Sequence, residues 1–150
     1  MKKIALVCLG NICRSPLAEA IARQIASDEN MPLVVESLGT AAWHLGKSPH
    51  PKSQAVAKKN GIDIGHYKGT QITQGNIGSF DYILAADKSV YDDLQALDKG
   101  ANIFLLGDFG FEGADVPDPY NDNTMEKFDE VYLMLQVCIK NFFASKYFQI

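Results

Sequence analysis

The sequence predicts an α/β fold: a four-stranded parallel sheet with helices on both faces and a phosphate-binding loop after the first strand. Three observations carry this. Short apolar runs alternate with longer stretches of 3.6-residue periodicity. The first run, Ile4-Ala5-Leu6-Val7-Cys8, is continuous, as in a central parallel strand buried on both faces. A turn and a helix signal follow it at once, and open α/β sheets bind ligands at the carboxyl ends of their strands.

Each element has its own signal. After Gly10-Asn11, Ser15-Pro16 reads as an N-cap followed by proline at the first helical position, with Leu17, Ile21 and Ile25 on one face of a helix reaching about Asn30. Leu33 to Leu38 reads as the second strand. Ser53 to Asn60 reads as a short helix closed by Gly61, and Phe80 to Ala85 as the third strand. Asp87 caps a helix carrying Val90, Leu94 and Leu97, and Ile103 to Leu106 is the fourth strand. From Gly107 to Asn123 the chain is rich in Gly, Pro, Asp and Asn, a loop of a length that usually means a lid, a site or disorder. A last helix starts near Thr124, with Phe128, Val131, Leu135, Cys138 and Phe142 as its buried stripe.

Composition narrows the function classes. The chain has 150 residues, 47% of them apolar, which is enough for one domain spanning residues 1–150 with its own core. Fourteen Lys and Arg stand against 18 Asp and Glu, a net charge of −4, which gives no long-range attraction for nucleic acid or an anionic bilayer. No apolar run suggests membrane insertion or a signal-peptide core, so a cytoplasmic location is expected. The three cysteines, Cys8, Cys13 and Cys138, point to thiol chemistry rather than to a disulfide framework.

The chemistry is concentrated in Cys8-Leu9-Gly10-Asn11-Ile12-Cys13-Arg14-Ser15. Five residues between a thiol and a guanidinium let the turn curl round a tetrahedral oxyanion, with backbone N–H groups and the positive end of a helix beneath it. Arg14 adds a planar fork that grips two oxygens, and thiolates are favoured at helix N-termini beside cations. With three cysteines and two arginines in the chain, chance would supply such a pair only about 0.04 times.

A thiolate behind phosphorus needs a proton donor for the departing oxygen. Asp118, between Pro117 and Pro119, is the candidate, with Asp115 and Asp122 as competitors. Gly46-Lys47-Ser48 imitates a nucleotide-binding loop but lacks its first glycine and is followed by Pro49 and Pro51. Asp108-Phe109-Gly110 imitates a kinase tripeptide in a chain too short for a kinase.

Over essentially its full length the chain resembles the low-molecular-weight protein tyrosine phosphatases, through Cys8 to Ser15 followed by Pro16 and through Asp118-Pro119-Tyr120. The resemblance implies hydrolysis of phosphotyrosine and small aryl phosphates through a phosphocysteine, with Cys8 as nucleophile, Arg14 holding phosphate and Asp118 as general acid and base. It implies that Asn11 fixes the loop, that Ser15 assists the leaving thiolate with His66 beside it, and that Leu9, Ile12, Trp43 and Tyr120 wall an aromatic slot. Gly10 and Cys13 complete the loop, and Cys13 stands where the family captures oxidised nucleophile. Relatives acting on phosphoarginine carry threonine where this chain has Ile12, so phosphotyrosine is favoured.

No metal and no cofactor are implied, and the partners are phosphotyrosine-containing proteins whose identity, like the oligomeric state, these motifs do not encode. Asn121, His50 and Val90 depart from the usual pattern and read as surface tuning, with His44 and His50 as solvated loop residues. An arsenate reductase of similar fold needs further mid-chain cysteines, and residues 14–137 hold none. A binding module that retains the cradle without turnover would have no use for Asp118.

Overall fold

A computed structural model describes residues 1–150. Four parallel strands, β1 (Lys2–Cys8), β2 (Leu33–Gly39), β3 (Tyr82–Ala85) and β4 (Ile103–Leu105), lie in the order β2-β1-β3-β4. The helices are α1 (Arg14–Asp28), α2 (Pro51–Lys59), α3 (Lys88–Leu97) and α4 (Met125–Ala144). The chain runs from β1 out to the edge at β2 and then back across to β3, so the strand order reverses beside the carboxyl end of β1.

The pleat sorts β1 between two cores. Ile4, Leu6 and Cys8 face the larger one, which holds α1, α2 and α4, while Ala5 and Val7 face a smaller one with Leu38, Ile72, Ile83, Val90 and Leu94. A strand buried on both sides must be apolar throughout, as the sequence predicts. Along α4, Phe128, Val131, Leu135, Cys138 and Phe142 are all fully buried, and each aromatic or aliphatic side chain so placed contributes roughly 1.5 to 3 kcal/mol. Val90 belongs to the smaller core rather than to the surface, at 1% exposure.

Two helix starts differ from the expectation, for local reasons. The first helix begins at Arg14, so Pro16 is its third residue, where the missing N–H is still one of the donors without an intrahelical partner. Ser15 is not the cap, because its hydroxyl is engaged elsewhere. The second helix begins at Pro51, two residues earlier than read, because His50 caps it: its Nδ1 accepts from the Lys52 N–H at 3.0 Å. Asp87 and Thr124 do cap α3 and α4, accepting from Val90 N and Lys127 N. The other bounds shift by one or two residues.

The long loop is seated rather than loose. Leu106–Asp108 form one 3-10 turn, and Val116 N–H donates to Ala86 O at 2.9 Å, which lays the loop along the end of β3. No helix of the chain is long and apolar enough to cross a membrane.

Candidate active site

Between β1 and α1 the loop carbonyls are taken up from outside. Cys8 O accepts from Thr40 N, Leu9 O from Ala41 N, Ile12 O from His50 N and Cys13 O from Ser53 Oγ. Carbonyls turned outward leave the N–H edge of the turn facing in, the arrangement that suits an anion. This closeness depends on Gly39, where a Cβ would fall 2.8 Å from Leu9 O and 3.0 Å from Asn11 N.

Asn11 takes the left-handed conformation, φ 55°, and its N–H points at Cys8 Sγ, 3.3 Å away. Such a conformation costs a non-glycine residue about 1 kcal/mol or more, so something must hold it. Its Oδ1 accepts from Thr70 N–H at 2.7 Å, and its Nδ2 donates to Ser15 Oγ at 2.7 Å. Because Thr70 N–H can only donate, the amide orientation is fixed. Ser15, accepting from Asn11, lies 3.0 Å from Cys8 Sγ and donates to it when the sulfur is a thiolate, which has no proton of its own to give. Two donors therefore converge on the sulfur.

Arg14 is 3% exposed yet its charge is paired. Its Nη1 donates to Asp87 Oδ2 at 2.6 Å and to Val116 O at 3.0 Å, and Nη2 lies 3.7 Å from Asp118 Oδ2. Burial opposes its charge, but Cys8, Asp87 and Asp118 outweigh that and push its titration above the ordinary range. Asp118 sits at the edge, 38% exposed, with Oδ1 accepting from Tyr120 N–H at 3.0 Å. Burial first, then the neighbouring Cys8 and Asp118, push the Cys13 thiol up to about 12, so at neutral pH it is no competing thiolate.

These groups share a cavity of about 420 Å³. Cys8, Cys13 and Arg14 are its buried members, and Leu9, Gly10 and Ile12 line it from the loop. Trp43 and Tyr120 form an exposed apolar rim beside Asp118, with 66% and 50% of their surface open. A larger groove of about 880 Å³ between α1 and α4 is lined by Ile21, Ile25, Tyr132 and Phe143 but holds no nucleophile.

His66 lies elsewhere. It lines a polar recess with Glu19, Arg23 and Ser37 and packs edge-on to Tyr67, ring centroids 4.9 Å apart, while the partners of Ser15 are Cys8 and Asn11. The segment carrying His66 does reach the loop, but through Thr70. His50 is not a solvated loop residue. Its ring packs against Phe128, and burial, followed by the charge of Lys52, lowers its pKa. No group of three or more His, Cys, Asp or Glu side chains is placed to hold a metal ion.

The profile of the low molecular weight phosphotyrosine protein phosphatases matches residues 3–147. The chain belongs to this family. It is 41% identical to the low molecular weight protein-tyrosine-phosphatase PtpA of Staphylococcus haemolyticus, covering 94% of this chain and 91% of that one. It is 37% identical to the low molecular weight phosphotyrosine protein phosphatase of Sus scrofa, covering 94% and 93%. Among solved structures, a Drosophila arginine phosphatase superposes with a TM-score of 0.87 at 29% identity, over 96% of each chain.

Against the rest of this low molecular weight phosphatase's site, sequence reasoning missed four contributors. Asp87 was legible as a helix cap, but its second oxygen holds Arg14 from 73 positions away. Gly39 and Thr70 support the loop from β2 and from the segment beside it, and His44 lines the cavity with its ring close to Gly10. Only the glycine after an apolar strand was a visible signal.

Proposed function

We propose that this phosphatase cleaves phosphotyrosine and small aryl phosphates by two in-line displacements at Cys8. The observation that carries the reading is one guanidinium, Arg14, placed between a hydrogen-bonded sulfur and a carboxyl at the cavity edge. The phosphoryl oxygens sit on the inward N–H groups and the Arg14 fork. The Cys8 thiolate forms a P–S bond as the P–O bond to the phenol breaks, and the Asp118 carboxyl gives its proton to the departing oxygen. Without that proton a phenolate leaves poorly, since its conjugate acid has pKa about 10. Asp118, now ionised, takes a proton from water as the water oxygen attacks phosphorus. The P–S bond breaks, inorganic phosphate leaves and the thiolate returns to the Ser15 hydroxyl. Every proton is accounted for without a metal or a cofactor.

The apolar rim supports an aryl group over a short alkyl one. Leu9, Ile12, Trp43 and Tyr120 flank a ring, and burying one between them stabilises binding by roughly 1.5 to 3 kcal/mol. Phosphoserine is too short to reach both rim and thiolate. Phosphoarginine is the alternative that the arginine phosphatase likeness raises, and an apolar Ile12 in the wall offers its guanidinium no acceptor. We place the enzyme in the cytoplasm, acting on phosphotyrosine proteins, consistent with its three free cysteines.

The test is kcat/KM on matched peptides carrying phosphotyrosine, phosphoserine or phosphoarginine, with Cys8→Ser as the control. Phosphotyrosine should lead by at least about tenfold, the worth of one well-filled apolar pocket, and Cys8→Ser should abolish turnover while still binding phosphate. Preference for phosphoarginine, or turnover by Cys8→Ser, would overturn the reading.

A further inference from the structure

We propose that His50 is a positioning residue for Asp118, acting through the ring of Tyr120. The inference rests on Asp118 being the proton donor. The His50 backbone N–H donates to Ile12 O at 2.8 Å, which fixes His50 to the phosphate loop. Its Nδ1 accepts from Lys52 N–H at 3.0 Å, which fixes the imidazole to the first turn of α2. On one side the ring lies against Phe128 of α4, centroids 4.9 Å apart, a side chain with no exposure at all. On the other it meets Tyr120 edge-on, centroids 6.2 Å apart at 82°, a favourable geometry for two aromatic rings.

Tyr120 passes this constraint to the carboxyl. Its N–H is the donor to Asp118 Oδ1 at 3.0 Å, so the place of the Tyr120 backbone decides which way the second oxygen, Oδ2, is directed. That second oxygen is the one 3.7 Å from Arg14. The proton donor stands on an exposed loop between two prolines, where no helix or strand holds it. A rigid line from the interior at Phe128 through His50 to Tyr120 supplies the missing support. His44 touches Tyr120 as well, centroids 6.3 Å apart, but it belongs to an exposed loop and has no comparable anchor in the interior.

The line makes a particular demand. His50 must supply a ring for Tyr120, and the cap on α2 is a separate service. His50→Asn keeps an acceptor for Lys52 N–H and removes the ring, whereas His50→Phe keeps a ring and removes the acceptor. The readout is the ratio of kcat/KM for phenyl phosphate to kcat/KM for p-nitrophenyl phosphate. The first needs a proton on its leaving oxygen far more than the second, so the ratio measures how well the donor is placed, and a uniform loss of folded enzyme leaves it unchanged. His50→Ala and His50→Asn should lower the ratio about tenfold, less than the roughly 10²-fold that a displacement of 1 Å can cost, while His50→Phe should hold it near the parent value. In the Asp118→Ala background, His50→Ala should change the ratio no further.

A ratio unchanged in both His50→Ala and His50→Asn would overturn the proposal, as would a drop in His50→Phe with none in His50→Asn. If Asp118→Ala itself leaves the ratio unchanged, the assignment of the donor is what has failed. If Asp118→Ala lowers the ratio and the His50 variants do not, the positioning role alone has failed.

Discussion

Asp87 serves two masters, and Asp87→Ser separates them. One carboxylate oxygen caps α3 through Val90 N–H at 2.8 Å, and the other receives Arg14 Nη1 at 2.6 Å. A serine hydroxyl can still cap, so this variant isolates the contact with Arg14. The Arg14 side chain is 3% exposed and that of Asp87 18%, so the pair is largely out of water. Removing one partner of such a pair costs about 3 to 5 kcal/mol when nothing else compensates. Val116 O and Asp118 remain near the guanidinium, which lowers the expected loss for Asp87→Ser to about 2 to 3 kcal/mol. Asp87→Ala loses the cap as well, about 1 kcal/mol more.

The assay is urea unfolding of both variants beside the parent, with thermal midpoints. At about 2 to 4 °C per kcal/mol for this size, Asp87→Ser should melt roughly 4 to 12 °C lower. Inhibition by inorganic phosphate should weaken in parallel, since a guanidinium freed from Asp87 no longer presents a fixed fork. An Asp87→Ser protein within about 0.5 kcal/mol of the parent, the ordinary range for an uninvolved surface position, would refute the claim that this carboxylate holds Arg14.

Gly39→Ala should destabilise by about 1 to 3 kcal/mol and lower kcat/KM, because its Cβ would meet loop backbone rather than a side chain that can swing away; urea unfolding and steady-state kinetics check both. Asn11→Ala should also impair catalysis without emptying the cavity, since it frees Thr70 N–H and Ser15 together, and the defect should appear in kcat more than in phosphate binding. Stability should fall as pH rises from about 9 to about 12. Burial pushes the thiols of Cys13 and Cys138 and the half-buried phenol of Tyr67 each up to about 12 in the folded chain, above their unfolded values, so the unfolded chain sheds their protons first; denaturation followed across that window tests it, and a flat profile would contradict the burial of these groups.

Much of the scaffold was legible in the sequence because periodicity and burial agree. The apolar run of β1, the stripe on α4, the cap at Asp87 and the start of the last helix near Thr124 each depend on neighbours within four residues. The pairing of Cys8 with Arg14 was legible for the same reason, the two being six positions apart on one turn. What was hidden is long-range. Asn11 and Thr70 are 59 residues apart and Arg14 and Val116 are 102 apart, and no local pattern announces either contact. Ser15 was misread as a cap because serine before proline is a common way to start a helix, yet α1 already starts at Arg14 and the Ser15 hydroxyl is turned to Asn11 and the sulfur. His50 was misread as solvated because a histidine between prolines gives no hint that Phe128 will arrive behind it.

The reversal of strand order beside β1 also sets a timetable. A ribosome makes Cys8 and Arg14 first, Asp87 73 residues after Arg14 and Asp118 later still, so the loop and the carboxylates beside its arginine emerge separately. A nascent chain halted before Asp87 therefore carries Cys8 and Arg14 without the carboxylates that hold the guanidinium. The arginine fork is fixed only once Asp87 and Val116 have been made, so the site is completed well after the loop that carries its sulfur.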